Sequence, residues 1–289
     1  MGQHAANQHA TGAGKALGAA AIARYRNDGF LCPLPAIPAA EAQALRARVE
    51  ASERVAGGPF SGNQRHKCHL LLPWLWDLMC TPPILDAVED LLGPNLLCWS
   101  TSFFTKEAHD PSFVSWHQDA TYWGLSSPEV VTAWVALSPS TVAAGAMRVI
   151  PGSHREQHAH RDTFAEHNLL TRGQEVAVEV DDARAVDLAL APGEMSLHHV
   201  LIVHGSEPNR SDDRRIGFAI RYLPTHVRQV AGARDSAALV RGVDAYRHFE
   251  AEQRPTEEFA PAAVARHREL TAAQAQTLYR GTDRQDFRA

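Results

Sequence analysis

Long hydrophobic runs are missing from this 289-residue chain. No stretch approaches the roughly 18 apolar residues that a membrane-spanning helix needs, which excludes a helical membrane protein. Cysteine is scarce: Cys32, Cys68, Cys80 and Cys98 are the only four, and no two form a CxxC pair. That excludes a disulfide scaffold and the common zinc knuckles, and leaves buried thiols in a reducing cytoplasm as the expectation. There is no excess of positive charge, since 28 Lys and Arg face 33 Asp and Glu for a net charge of −5 with both signs interspersed. A nucleic-acid partner is not expected from such a surface. The first residues hold no charged segment followed by an apolar one, so no secretory signal is read. Ala6 breaks the pattern that would follow an N-myristoylated Met-Gly start. Residues 1–22, rich in Ala and Gly, read as a flexible tail.

What is present is ordinary globular composition, 45% hydrophobic and 21% charged, enough for one large core. A single domain over residues 23–289 is expected, as a monomer or homodimer. Residues 38–55 space small and apolar residues at helical period, and residues 81–94 open on Thr81 before two prolines and stop at Gly93-Pro94, so both read as helices. The middle is different. Short β-prone runs are punctuated by Asp110-Pro111, Ser138-Pro139, Pro151-Gly152, Pro192-Gly193 and Pro208-Asn209. The fold class implied is mainly β with flanking helices, the core a jelly roll (double-stranded β-helix) over about residues 95–225. Residues 154–175 are polar and His-rich and read as a loop over one mouth of that barrel. Residues from about 233 to the end return to helical composition.

The stretch WHQDATYW, residues 116–123, sets His117 and Asp119 two apart. On an extended strand such residues share a face. They make either half of a metal site or a hydrogen-bonded surface pair, and only a third ligand elsewhere decides. The segment 197–222 offers His198, His199 and His204. Read as one strand, it puts His198 and His204 on one face and His199 on the other, with His204 at the strand end beside Gly205 and Ser206. Two imidazoles and a carboxylate, His117, Asp119 and His204, match the facial triad of non-haem Fe(II) oxygenases, which leaves coordination positions open for a keto-acid and dioxygen. Arg215 follows His204 by eleven residues, where its planar fork can clamp a carboxylate.

In this order, WHQDATYW, VVTAWVAL, MRVIPGSH and PGEMSLHHVLIVHGSEPNRSDDRRIGFAIRY resemble the phytanoyl-CoA dioxygenase family of Fe(II)/2-oxoglutarate oxygenases, across about residues 98–224. The resemblance implies a jelly roll, Fe(II) held by His117, Asp119 and His204, 2-oxoglutarate as co-substrate bound by Arg215 and Ser206 with Trp134 lining its pocket, and hydroxylation of a C–H bond by dioxygen with release of succinate and CO2. Halogenases of the family carry a small residue in place of the carboxylate. Asp119 therefore implies hydroxylation.

Among the neighbours, Tyr122 and Trp123 are candidate substrate contacts with an equal claim to be packing residues. His198 and His199 read as structural, and Arg214 is the arginine most easily confused with Arg215. Lys67 could steady a cofactor carboxylate, but a solvated lysine is favoured. Arg221 lies an even number of residues beyond Arg215 and could bind an anionic substrate group, although six strand residues at about 3.3 Å each place it far from the iron. Two other functions share the ligand set: a zinc or manganese jelly-roll enzyme, and a ligand-binding protein with a vestigial site. Neither needs Arg215. The expected substrate is a small polar metabolite, because an acyl-CoA would call for a basic patch and only Arg155, Arg161 and Arg172 are scattered near the mouth.

Overall fold

The computed structural model describes residues 14–284 and 287. The chain enters through helix α1 (Ala19–Asp28), strand β1 (Phe30–Pro35) and helices α2 (Ala39–Ala56), α3 (Pro73–Met79) and α4 (Pro82–Leu92). The strands β2 (Leu96–Lys106), β3 (Val114–His117), β4 (Val131–Ala136), β5 (Met147–Val149), β6 (His160–Asp162), β7 (Gln174–Val176), β8 (Val186–Leu188), β9 (Glu194–His199), β10 (His204–Ser206) and β11 (Arg215–Pro224) follow. Strands β12 (Ser236–Arg241) and β13 (Glu250–Ala251) and helix α5 (Pro261–Leu278) close the chain.

A seven-stranded sheet in the order β1-β9-β4-β11-β2-β12-β13 faces a four-stranded sheet in the order β3-β10-β5-β8, with β6-β7 as a separate hairpin. This is the expected jelly roll. It recruits β1 and β12 from outside the segment 95–225 to the large sheet.

Strand alternation explains how one sheet serves two purposes. On β11, Ile216, Phe218, Ile220 and Tyr222 join the apolar cluster with Leu72, Leu75, Met79 and Ile84 of the helical layer. The opposite face, Arg215, Ala219 and Arg221, lines a cavity between the sheets. The strand is buried along its whole length, apolar toward the helices and polar toward the chemistry. α2 presents Ala42, Leu45 and Val49 to the same core.

Four expectations need correction. The tail ends before residue 22: the Asp90 carboxylate accepts from the backbone amides of Lys15, Ala16 and Leu17 at 2.8, 2.9 and 2.8 Å, Leu17 is buried, and α1 begins at Ala19. Residues 1–13 lie outside the described residues. The C-terminal part is not helical from 233, because residues 236–241 pair with β2 and cover its outer edge; the Ala- and Arg-rich composition hid a strand set by its partner. Residues 197–204 are not one strand. The backbone turns after His199, with Ile202 N–H donating to His199 C=O at 3.0 Å, so His198 and His204 sit in different sheets. Lys67 is neither solvated nor in the cavity. It is wholly buried, and its Nζ donates to Trp99 O (2.8 Å), Ser236 O (2.9 Å) and Glu252 Oε1 (2.7 Å), tying the helical layer to β2, β12 and the segment after β13.

Candidate metal centre and cofactor pocket

β3 ends at His117 and β10 begins at His204, and the two are register partners in one sheet. Their rings lie 4.1 Å apart, centroid to centroid. Asp119 is not on a strand, which corrects the reading of its spacing: it opens a 3-10 turn, Asp119–Tyr122. Gln118 sets that turn. It is buried, and its Nε2 donates to Leu201 O at 2.6 Å and Glu156 O at 2.7 Å, while the Asp119 amide donates to Val200 O. One Asp119 oxygen then lies 3.4 Å from His117 Nε2. Ligand atoms of His117, Asp119 and His204 all fall within 4.8 Å of one another, and no other such group of His, Cys, Asp or Glu occurs among the described residues.

The histidines are pre-oriented. His117 Nδ1 lies 2.9 Å from Ser115 O and 3.0 Å from His204 O, and His204 Nδ1 lies 3.0 Å from Ile202 O. A carbonyl only accepts, so Nδ1 carries the hydrogen in each ring and Nε2 keeps its lone pair. Metal-binding histidines are commonly held this way. Burial pushes the His204 imidazole well below its usual range, and the neighbouring His117 adds to this. Burial works against the Asp119 charge; with the two imidazoles neutral, the cation that still favours the carboxylate is Arg221. Two neutral nitrogens and one anionic oxygen are a donor set that suits a ferrous ion.

The triad lines a cavity of about 440 Å³, its mouth included, with Trp134, Met147, His198, Ser206, Arg215 and Arg221 among the other walls. Arg215 is 2% exposed. One terminal nitrogen donates to Gly145 O, and its Nε has no partner. No carboxylate stands within ion-pair reach of it among the described residues, unlike Arg214, which is bound by Glu53 and Glu107. The Arg215 guanidinium lies 5.5 Å from the Trp134 ring. Trp134 is admitted by Gly217, where any Cβ would collide with the indole. Ser206 is buried, and Lys106 Nζ donates to its Oγ at 2.8 Å. Lys106, the register partner of Arg215, is pushed down to about 6 by burial and then by the Arg215 charge. Sequence reading missed Lys106, although its place directly opposite Arg215 follows once β2 and β11 are paired.

Tyr122 and Trp123 are not in this cavity. They line a second one, about 560 Å³ with its open mouth, that shares Phe104, Asp119 and Arg221 with the first. Tyr122 donates to Asp162 at 2.8 Å, and Trp123 packs 4.8 Å from Trp99. Leu169, Leu170 and Thr171 bring the end of the His-rich segment 154–175 to the same cavity. Arg221, set aside for its distance from the iron, lines both. The β11 strand runs past the triad, so its two arginines stand in one cavity with it. His198, 5.2 Å from His204 ring to ring, is a wall residue.

A profile of the family described as Phytanoyl-CoA dioxygenase (PhyH) matches residues 25–217. The chain belongs to the phytanoyl-CoA dioxygenase family. It is similar to the L-proline trans-4-hydroxylase of Streptomyces griseoviridis, 27% identical over 228 residues that cover 69% of this chain and 84% of the relative. Among solved structures it is similar to the non-heme monooxygenase ThoJ in its apo form, at 38% identity and TM-score 0.79 over 89% of this chain and 96% of that one. It is also similar to CytC3 with Fe(II) and alpha-ketoglutarate, at 25% identity and TM-score 0.62 over 86% and 98% of the two chains. This family member is a 2-oxoglutarate-dependent dioxygenase with a jelly-roll core, and Fe(II) and 2-oxoglutarate are its cofactor and co-substrate.

Proposed function

We propose that His117, Asp119 and His204 hold the iron, that Arg215 and Ser206 receive the distal carboxylate of 2-oxoglutarate against Trp134, and that the enzyme hydroxylates a C–H bond of a small polar metabolite. The observation that carries the reading is the pair of imidazoles whose Nδ1 hydrogens are spent on backbone carbonyls, beside an ionised carboxylate. A surface hydrogen-bonded pair has no need of such an arrangement in a buried cavity.

With iron bound, the 2-oxoglutarate and dioxygen chemistry supplies the oxidising power, and the chain's own residues supply position. Gln118 and the backbone hold the ligands at their spacing. Arg215 offers a buried guanidinium with unsatisfied donor capacity to an anion. Met147, Val114 and Ala219 make part of the wall apolar and exclude water from the reacting atoms. Asp119 would supply a carboxylate ligand to the ion, where family halogenases would leave room for a halide. The relative named for L-proline supports a small polar substrate. Four unpaired cysteines support a reducing compartment, the cytoplasm. Anaerobic equilibrium dialysis tests the ligand assignment: one ferrous ion per parent chain is expected, and weak or absent binding in His117→Ala and His204→Ala. Undiminished iron in either variant overturns it.

A further inference from the structure

Among the described residues, the second cavity holds more positive than negative charge. Arg221 is 7% exposed; one terminal nitrogen donates to Ser102 Oγ at 2.9 Å, and its Nε is buried with no partner. Arg65 donates to Leu169 O at 2.9 Å, and its Nε is likewise buried and unpartnered. His66 accepts or donates at the same Ser102 hydroxyl, 3.0 Å away, so the Ser102 side chain links the two arginine-bearing segments. Neither guanidinium has a carboxylate within ion-pair reach among the described residues. Among the described residues the one acid on the cavity wall is Asp119, whose charge favours the Arg221 cation and which the proposed function commits to iron. Arg221 is buried and Arg65 half-buried; guanidiniums held there without a paired carboxylate among the described residues are costly, and the excess calls for an anion from outside. The remaining walls limit what it can be attached to. Trp99, Trp123, Phe104 and Leu170 are apolar or aromatic, while Gln174 and Gln274 offer amides. The two cavities meet at Phe104, Asp119 and Arg221, so a molecule anchored on the arginines lies next to the proposed iron site.

Resting on the oxygenase reading, we infer that the prime substrate is a small organic acid whose carboxylate is held by Arg65 and Arg221, with its skeleton lying against Phe104 and the Trp99–Trp123 pair. The arginines set which C–H bond is presented, because the distance from carboxylate to iron is fixed by the wall between them. The anion here is distinct from the 2-oxoglutarate carboxylate at Arg215: Arg65 lines only the second cavity and Arg215 only the first.

The test uses the full chain loaded with Fe(II) and 2-oxoglutarate, and follows succinate. The probes are a panel of amino, hydroxy, cyclic and aromatic carboxylic acids, each beside its methyl ester and its phosphate- or phosphonate-bearing analogue. Free acids are expected to stimulate succinate formation, and the matched esters about 10-fold less or worse, the scale of a charge-assisted hydrogen bond. Arg65→Gln is expected to raise the KM for the best acid by about 10-fold or more and to change the KM for its ester by less than about 2-fold; Arg221→Gln is expected to raise the KM for the acid by at least as much and by more than for the ester, with part of the loss regained in Arg221→Lys. The ester serves as the control for misfolding, since a damaged fold weakens acid and ester alike. Equal stimulation by acid and ester, preference for the phosphorylated analogue, no acid that stimulates, or parallel KM changes for acid and ester in both variants would each overturn the inference. Failure of the oxygenase reading is separate and shows first, as no succinate from the parent protein under any condition.

Discussion

Replacing Arg215 by lysine keeps a positive charge at the end of the cavity and removes the planar fork. Arg215 is buried, engages only Gly145 O through one terminal nitrogen, and has no carboxylate partner among the described residues, so its donors are free for a ligand. Lysine presents a single ammonium that cannot reproduce two parallel bonds to a carboxylate. Loss of one charge-assisted hydrogen bond from a desolvated pair costs about 1.5–3 kcal/mol. At about 1.4 kcal/mol per factor of ten, the Kd for 2-oxoglutarate should rise roughly 10- to 100-fold. The assay is calorimetric or fluorimetric titration of the metal-loaded, oxygen-free protein with 2-oxoglutarate, run beside Arg214→Lys. Arg214 is already occupied by Glu53 at 2.6 and 2.7 Å, so that variant should stay within about 3-fold of the parent. An unchanged Kd in Arg215→Lys, or the loss falling on Arg214→Lys instead, would refute the reasoning.

Gly217→Ala places a Cβ inside the space of the Trp134 indole, so Trp134 must leave its position. Weaker 2-oxoglutarate binding with only modest loss of stability is expected, and an unaltered titration would show that Trp134 does not wall the cofactor pocket. Lys106 is held near 6, below the usual lysine value, by burial and the Arg215 charge. Binding of a dianion beside it raises that value, so 2-oxoglutarate binding takes up a proton and its affinity falls as pH rises above about 6. Lys106→Met should bind with little pH dependence, and a parent titration flat from pH 6 to 9 would contradict this. Glu252 is buried, which alone would raise its carboxyl, but Lys67 and His69 hold it down at about 2 against an ordinary 4.5. A depressed carboxyl stabilises the fold above the unfolded value, and that contribution, about 3 kcal/mol, is lost as pH falls from about 4.5 towards 2. Glu252→Gln leaves Lys67 buried with Asp235, 3.6 Å away, as its remaining counter-charge and should lower urea stability at pH 7 by about 3 kcal/mol, while flattening the acid limb. Equal midpoints for parent and variant at pH 7 would count against this role.

The parts of this molecule that could be read in one dimension are those set by local spacing. The turn-bounded runs marked the strands of the jelly roll, and the even-numbered apolar face of β11 was visible in RIGFAIRY. His204 and Arg215 were readable because both flank a short connection whose length is set in sequence. His117 and Asp119 were readable as a pair but for an incomplete reason, since a 3-10 turn held by Gln118 aims Asp119, and Gln118 draws its partners from Glu156 and Leu201. What was hidden depends on distant partners. Lys67 looked like a surface lysine because its acceptors come from β2, β12 and Glu252. β12 looked helical because pairing with β2, not composition, decides its state. Arg65 was passed over, although it sits only two residues before Lys67, because Phe104 and Leu169 beside it come from far along the chain.

The most direct test is succinate yield from 2-oxoglutarate under dioxygen with saturating ferrous iron, measured side by side for the parent and for His204→Ala. Iron-dependent succinate from the parent, and a fall to the protein-free background in the variant, is the expected result. Succinate from the variant at the parent's rate would contradict the account, as would a parent that makes none.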